Sequence, residues 1–234
     1  MPVVLDVAGG SQISLRSPKI IALGLNYLDH IEETGQAAPT EPVIFSKTPN
    51  VLIACGEPIV IPAWLHEIGL DDVTVHYEAE LAVVMGSRCS AVPPELAEEH
   101  ILGFTCFNDV SQRNFQFADQ SGWFRGKSLD TFGPVGPVVV PLRFLPHHDD
   151  LGIECRLNGR IVQKSRTSNL LFKVSEVVSW ISKHITLEPG DIIATGTPGG
   201  VGRLSHGDLV EEEIEGIGVL FNPVVDKGVT GQAP

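Results

Sequence analysis

The stretch His76-Tyr77-Glu78-Ala79-Glu80-Leu81-Ala82-Val83-Val84 constrains this chain more than any other. Its apolar, β-branched continuation reads as a strand, in which successive side chains point to opposite faces. Glu78 and Glu80 then share one face, and Tyr77, Ala79, Leu81 and Val83 turn to the core. Adjacent carboxylates repel, so a fold retains such a pair only with compensation. A hard cation such as Mg²⁺ or Mn²⁺, which prefers carboxylate oxygen and water, supplies it. A solvated edge strand, where charges oppose aggregation, is the plain alternative for an isolated Glu-x-Glu.

Other segments bear on that choice. A strand-like run over 101–108 delivers Asp109 at its end, and with Glu78 and Glu80 it makes a three-carboxylate, all-oxygen site. His76 lies on the glutamates' face and suits a hydrogen-bonding role beside the ligands better than ligation itself. His30 and Glu33 stand three apart in a short helix expected over about 26–33, and so share a face. A carboxylate beside a histidine raises its basicity and fixes its tautomer, as a water-activating base requires. The same spacing is common on surface helices with no chemistry.

Gly126-Lys127-Ser128 invites a phosphate-loop reading, but that motif needs glycine where Ser121 stands, and a strand-loop-helix unit that is absent. Nucleotide binding is rejected, and Lys127 remains as a cation among many acids. The Gly196-Thr197-Pro198-Gly199-Gly200-Val201-Gly202 loop offers backbone N–H groups and a hydroxyl to a carboxylate.

The rest of the chain predicts an α+β domain dominated by strands. Strands are expected over 19–24, 43–47 and 138–140, with a punctuated turn at 133–137. A hairpin over 153–165 turns on Asn158-Gly159, the pair that type I′ turns favour. The strongest helical periodicity covers 168–184 through Leu171, Val174, Val177, Val178, Ile181 and Ile185. Residues 109–126 show little periodicity and read as a site-forming loop. A short segment over 1–17 and a tail over 226–234 flank a catalytic domain over 18–225.

A net charge of −13 argues against nucleic acid or an anionic membrane as partner, while a bound cation still admits anionic small molecules. No run approaches the roughly 18 apolar residues of a membrane span, and the N-terminus shows no secretory pattern. Cys55, Cys89, Cys106 and Cys155 are scattered without a Cys-x-x-Cys, which suits reduced, mostly buried thiols. A soluble, cytoplasmic protein is expected.

Six segments, in order, resemble the fumarylacetoacetate hydrolase family. They are Gly24-Leu25-Asn26-Tyr27-Leu28-Asp29-His30, Glu41-Pro42-Val43-Ile44-Phe45-Ser46-Lys47, Tyr77-Glu78-Ala79-Glu80-Leu81-Ala82-Val83-Val84, Asn108-Asp109-Val110-Ser111, Gly126-Lys127-Ser128-Leu129-Asp130, and Thr195-Gly196-Thr197-Pro198-Gly199-Gly200-Val201-Gly202. The resemblance runs from about residue 19 to 225. It implies a mixed β-sandwich or roll with few helices, usually a homodimer, and a Mg²⁺ or Mn²⁺ enzyme acting on a small anionic oxo acid. Glu78, Glu80 and Asp109 match the family's metal carboxylates, and His30 and Glu33 the water-activating dyad of its acylpyruvase-type members. Lys127 matches its active-site lysine, and Arg113, Gln116 and Thr197 its substrate contacts. Lys47 matches a motif position without an assigned role. In two departures, the founding hydrolase's large N-terminal domain is missing, and Asn114 replaces an aspartate.

The resemblance implies chemistry through a metal-stabilised enolate of a 2-oxo or 2,4-dioxo acid. Hydrolytic C–C cleavage is the first expectation. Isomerisation of a 2-hydroxyhepta-2,4-diene-1,7-dioate or decarboxylation of an oxo acid is the rival, and a non-catalytic oxo-acid binding protein on the same scaffold the lesser one.

Overall fold

The strand that carries Glu80, β8 (Ala79–Met85), is buried along its whole length because both its faces are covered. In the computed structural model, which describes residues 2–120 and 122–229, β8 lies inside a mixed nine-stranded sheet. Its antiparallel neighbours are β9 (Ile101–Asn108) and β14 (Ile192–Ala194). Beyond β14 come β3 (Ile20–Gly24), parallel to it, and β4 (Val43–Lys47) at the edge. Beyond β9 come β11 (Gly133–Val140), β1 (Val3–Val7) and β2 (Ser11–Leu15), with β5 (Leu52–Ile53) paired to the start of β11. A central strand has no solvated edge, and Glu78, just before it, is buried as Glu80 is, so that alternative falls.

A five-stranded sheet runs β13 (Arg160–Arg166), β12 (Gly152–Leu157), β16 (Leu209–Ile214), β17 (Gly218–Asp226), β6 (Ile59–Ile61). It packs on one face of the large sheet, where Leu81, Val83 and Phe104 meet Ile153, Ile214 and Leu220. The other face curls on itself, and Ala82, Val84, Phe107, Val135 and Ile192 form a second core with Leu5. This is the expected strand-dominated α+β sandwich and roll. Period two explains the division: Tyr77, Ala79, Leu81 and Val83 enter the first core, as expected, and Ala82 and Val84 continue the face of Glu80 into the second.

The expected single strand through Glu78 is two. β7 (Val75–Tyr77) belongs to a small sheet with β10 (Ser111–Gln112) and β15 (Gly202–Arg203), and Glu78 is the junction to β8. Asn108 Oδ1 accepts the Glu78 N–H at 3.0 Å, and the Glu78 carbonyl accepts the Asp109 N–H at 2.9 Å, which ties the junction to the end of β9.

Three further expectations change. Residues 133–137 are not a turn but the start of β11; Pro137 falls where the pairing with β9 shifts register, a bulge that asks no N–H of it. The helix expected from 168 begins at Val174, as α4 (Val174–His184). The Leu171 and Phe172 N–H groups instead donate to the Asn26 carbonyl and Asn26 Oδ1, at 2.8 and 2.9 Å, so tertiary pairing overrides the helical period. The segment read as an irregular loop folds into β10, α2 (Arg113–Ala118) and α3 (Phe124–Lys127).

The hairpin at Asn158-Gly159 forms as expected, with both residues at positive φ (53° and 76°). A short helix, α1 (Leu28–Thr34), follows β3. All four cysteines are free, and all but Cys55 are buried. Among the described residues no helix is long and apolar enough to cross a membrane.

Candidate active site

The ends of β3, β8, β9 and β14 converge, and the pairing register determines which side chains meet there. Glu80 stands opposite Phe107, and Glu78 falls opposite Asp109 one step beyond the Ala79–Asn108 pair. Oxygens of Glu78, Glu80 and Asp109 all lie within 4.8 Å of one another, and the three residues are buried. The loop after β14 supplies the Gly196 N–H, which donates to Glu80 Oε2 at 2.8 Å.

Three cations press on this group. Lys127 Nζ lies 2.7 Å from Glu78 Oε2 and 2.6 Å from Asp109 Oδ2. Arg113 Nη2 lies 2.5 Å from Glu78 Oε1. Lys47 Nζ, at the end of β4, lies 2.6 Å from Asp109 Oδ1. Sequence reading left Lys47 without a role, yet it is fully buried beneath Asp109. Gly126 explains the Gly-Lys pair: a Cβ there would fall 2.6 Å from the Gln116 nitrogen and 2.7 Å from the Gln112 carbonyl oxygen. Only glycine lets α3 approach α2 closely enough to deliver Lys127, with no phosphate loop involved.

The carboxylates respond differently. Burial pushes the Glu78 carboxyl up, but the Lys127 and Arg113 charges outweigh it and hold Glu78 well below the usual carboxylate range. Among the described residues Glu80 has no cation of its own at contact distance; burial, then the charges of Asp109 and Glu78, push it well above its ordinary value. Its Oε1 is buried without a hydrogen-bond partner among the described residues. That orphaned oxygen beside two carboxylates is what a hard cation would satisfy, and an all-oxygen donor set suits Mg²⁺ or Mn²⁺. The Glu78, Glu80 and Asp109 group could therefore hold a divalent metal.

A cavity of about 240 Å³ opens over this floor. His30, His76, Glu78, Arg113, Gln116, Lys127 and Thr197 line it, so every candidate residue except Glu33, Glu80 and Asp109 reaches its wall. His30 Nδ1 sits 3.4 Å from Glu33 Oε2, and the Glu33 carboxylate accepts the Gly200 N–H at 3.0 and 3.2 Å. Arg113 Nη1 donates to Gln116 Oε1 at 2.6 Å. His76 lines the same cavity but is not one of the three grouped carboxylate ligands; its Nδ1 has no partner among the described residues, and burial with the Arg113 charge pushes its pKa down to about 4, leaving a neutral imidazole.

Gln163, which sequence reading missed, locks the site's back wall. Its amide nitrogen donates to Thr197 Oγ1 at 2.9 Å and to the Pro198 carbonyl at 2.8 Å. Its amide oxygen accepts the Ala79 N–H at 3.1 Å, tying the hairpin to the start of β8.

Comparison with known proteins places this arrangement. The sequence profile of the fumarylacetoacetate (FAA) hydrolase C-terminal domain matches residues 19–225. A solved 5-carboxymethyl-2-hydroxymuconate delta-isomerase from Mycobacterium smegmatis is 43% identical, with a TM-score of 0.81 over 94% of this chain and 86% of its own. Fumarylpyruvate hydrolase from Pseudomonas aeruginosa, solved with Mn²⁺ and pyruvate, is 29% identical, with a TM-score of 0.83 over 97% of each chain. A mitochondrial oxaloacetate tautomerase from Xenopus laevis is 40% identical over 228 residues, covering 92% of this chain and 69% of its own. With nearly the whole chain inside the profile and relatives of that identity, this chain belongs to the fumarylacetoacetate hydrolase family.

Proposed function

We propose that this protein is a Mg²⁺- or Mn²⁺-dependent enzyme that cleaves a C–C bond in a small 2,4-dioxo acid by hydrolysis. The observation that carries the reading is the pairing of His30 with Glu33 at the cavity whose floor holds Glu78, Glu80, Asp109 and Lys127. Glu78, Glu80 and Asp109 would hold the cation, which supplies Lewis-acid polarisation of the substrate's 2-oxo group.

The chain's own side chains perform the remaining work. Arg113, Gln116 and Thr197 orient the substrate carboxylate. His30, held by Glu33, takes a proton from water as its oxygen attacks the C4 carbonyl. The C3–C4 bond then breaks, its electron pair moves into the enolate of the departing 2-oxo acid, and a proton returns to C3. Lys127, kept cationic because Asp109 and Glu78 outweigh its burial, stabilises the negative charge as it develops.

Proton transfer without cleavage is the second reading. The M. smegmatis isomerase and the X. laevis tautomerase favour it, at 43% and 40% identity. Enolisation is common to both reactions, so the fold does not separate them. A turnover screen with Mn²⁺ separates them, using acylpyruvates, oxaloacetate and hydroxydienedioates, with Glu80→Ala as control. Acylpyruvate cleavage that Glu80→Ala abolishes supports hydrolysis. Turnover of dienedioates or enol-oxaloacetate alone replaces it with proton transfer.

A further inference from the structure

We propose that the pocket selects a 2-oxo acid whose far end is apolar and uncharged, and disfavours a second carboxylate. The inference rests on the reading of the site given above and narrows its substrate class.

Charge supplies the first argument. When ionised, Glu78, Glu80 and Asp109 balance Lys47, Lys127 and Arg113, so a divalent cation leaves an excess of two positive charges. A 2-oxo acid matches that excess with its carboxylate and its enolised oxygen. A further carboxylate would need a further cation. Among the described residues lining the cavity, the permanent cations are Arg113 and Lys127, and both already face carboxylates at 2.5 to 2.7 Å.

The rest of the wall supplies the second argument: Leu23, Leu25, Phe45, Phe117, Trp123 and Val201 make it mostly apolar, with Thr34 and Gln36 as its neutral polar members. Trp123 sits at φ 71°, a left-handed conformation that bulky residues rarely adopt. Its ring occupies the space that a Cβ on Gly24 would need, 2.8 Å from Trp123 Cζ3, and meets Phe45 edge-on at 5.3 Å. The Trp123 carbonyl accepts the Lys127 N–H at 3.1 Å, so one short turn sets the indole wall and the buried cation together. Backbone strain at a site wall points to function, and here it presents an aromatic surface to the ligand.

Calorimetry on the Mn²⁺-loaded protein tests this with oxalate, 2-oxohexanoate and 2-oxohexanedioate, the last two sharing a carbon chain and differing by the terminal carboxylate. We expect 2-oxohexanoate to bind at least about tenfold more tightly than the dioate. Trp123→Ala should weaken 2-oxohexanoate by a larger factor than oxalate. Phe117 is 78% exposed, so Phe117→Arg keeps the fold and should swing the preference toward the dioate. Normal oxalate binding with the dioate preferred in the wild type overturns the inference and leaves the metal-site reading standing. Absence of oxalate binding overturns both.

Discussion

Lys47 Nζ lies 2.6 Å from Asp109 Oδ1, with both side chains wholly shut off from solvent. Removing one partner of a buried pair leaves an uncompensated charge, which typically costs about 3–5 kcal/mol. Lys47→Met should therefore lower unfolding stability by about that amount, although Lys127 still faces Asp109. Urea unfolding measures it; a loss under about 1 kcal/mol, in the range of exposed pairs, would mean that Lys127 alone compensates Asp109.

Glu80 Oε1, buried without a partner among the described residues, makes the strongest case for a cation. Mn²⁺ should raise the thermal midpoint of the wild type, since a ligand at a hundred times its Kd stabilises by about 2.7 kcal/mol. Glu80→Ala and Asp109→Ala should abolish the shift. An unchanged shift in either variant would remove that residue from the binding group.

Much of this site was legible beforehand, for local reasons. The Glu-x-Glu spacing, the strand before Asp109 and the Asn158-Gly159 turn are short-range signals of period two and turn chemistry, and the structure contains each. What escaped depends on distant partners. Gln163 acts on Ala79 across 84 positions and on Thr197 across 34. Lys47 reads as an ordinary strand-end lysine until Asp109 arrives from another strand. The Gly133–Val140 strand is disguised by its glycines and prolines; Gly133 is there because a Cβ would collide with the buried Val51 side chain.

Glu212, on β16, predicts a pH dependence separate from the site. Both its oxygens are buried without hydrogen-bond partners among the described residues, and burial pushes its carboxyl well above the ordinary value of 4.5. Above 4.5 the unfolded chain releases this proton while the folded chain keeps it. Stability then falls as pH rises, by up to about 1.4 kcal/mol per pH unit until the folded group itself ionises. Glu212→Gln should be more stable than the wild type at pH 7 and less pH-dependent above pH 5. Parallel stability curves from urea unfolding across pH 5–8 would refute the assignment.

Asp29 should act through His30 rather than on substrate. One carboxylate oxygen accepts the His30 N–H at 2.8 Å and the Gly199 N–H at 3.4 Å; the other accepts the Ser165 hydroxyl at 2.6 Å. Those bonds join α1, the glycine loop and the hairpin, and so position the proposed base. Misplacing a catalytic group by about 1 Å can cost on the order of a hundredfold. Asp29→Ala should therefore lower kcat by about ten- to a hundredfold with Mn²⁺ affinity unchanged. Asp29→Asn, which keeps one acceptor oxygen, should recover part of the loss. Steady-state kinetics beside Mn²⁺ calorimetry separates this from general damage: a variant that loses metal affinity along with kcat would have disturbed the site floor instead.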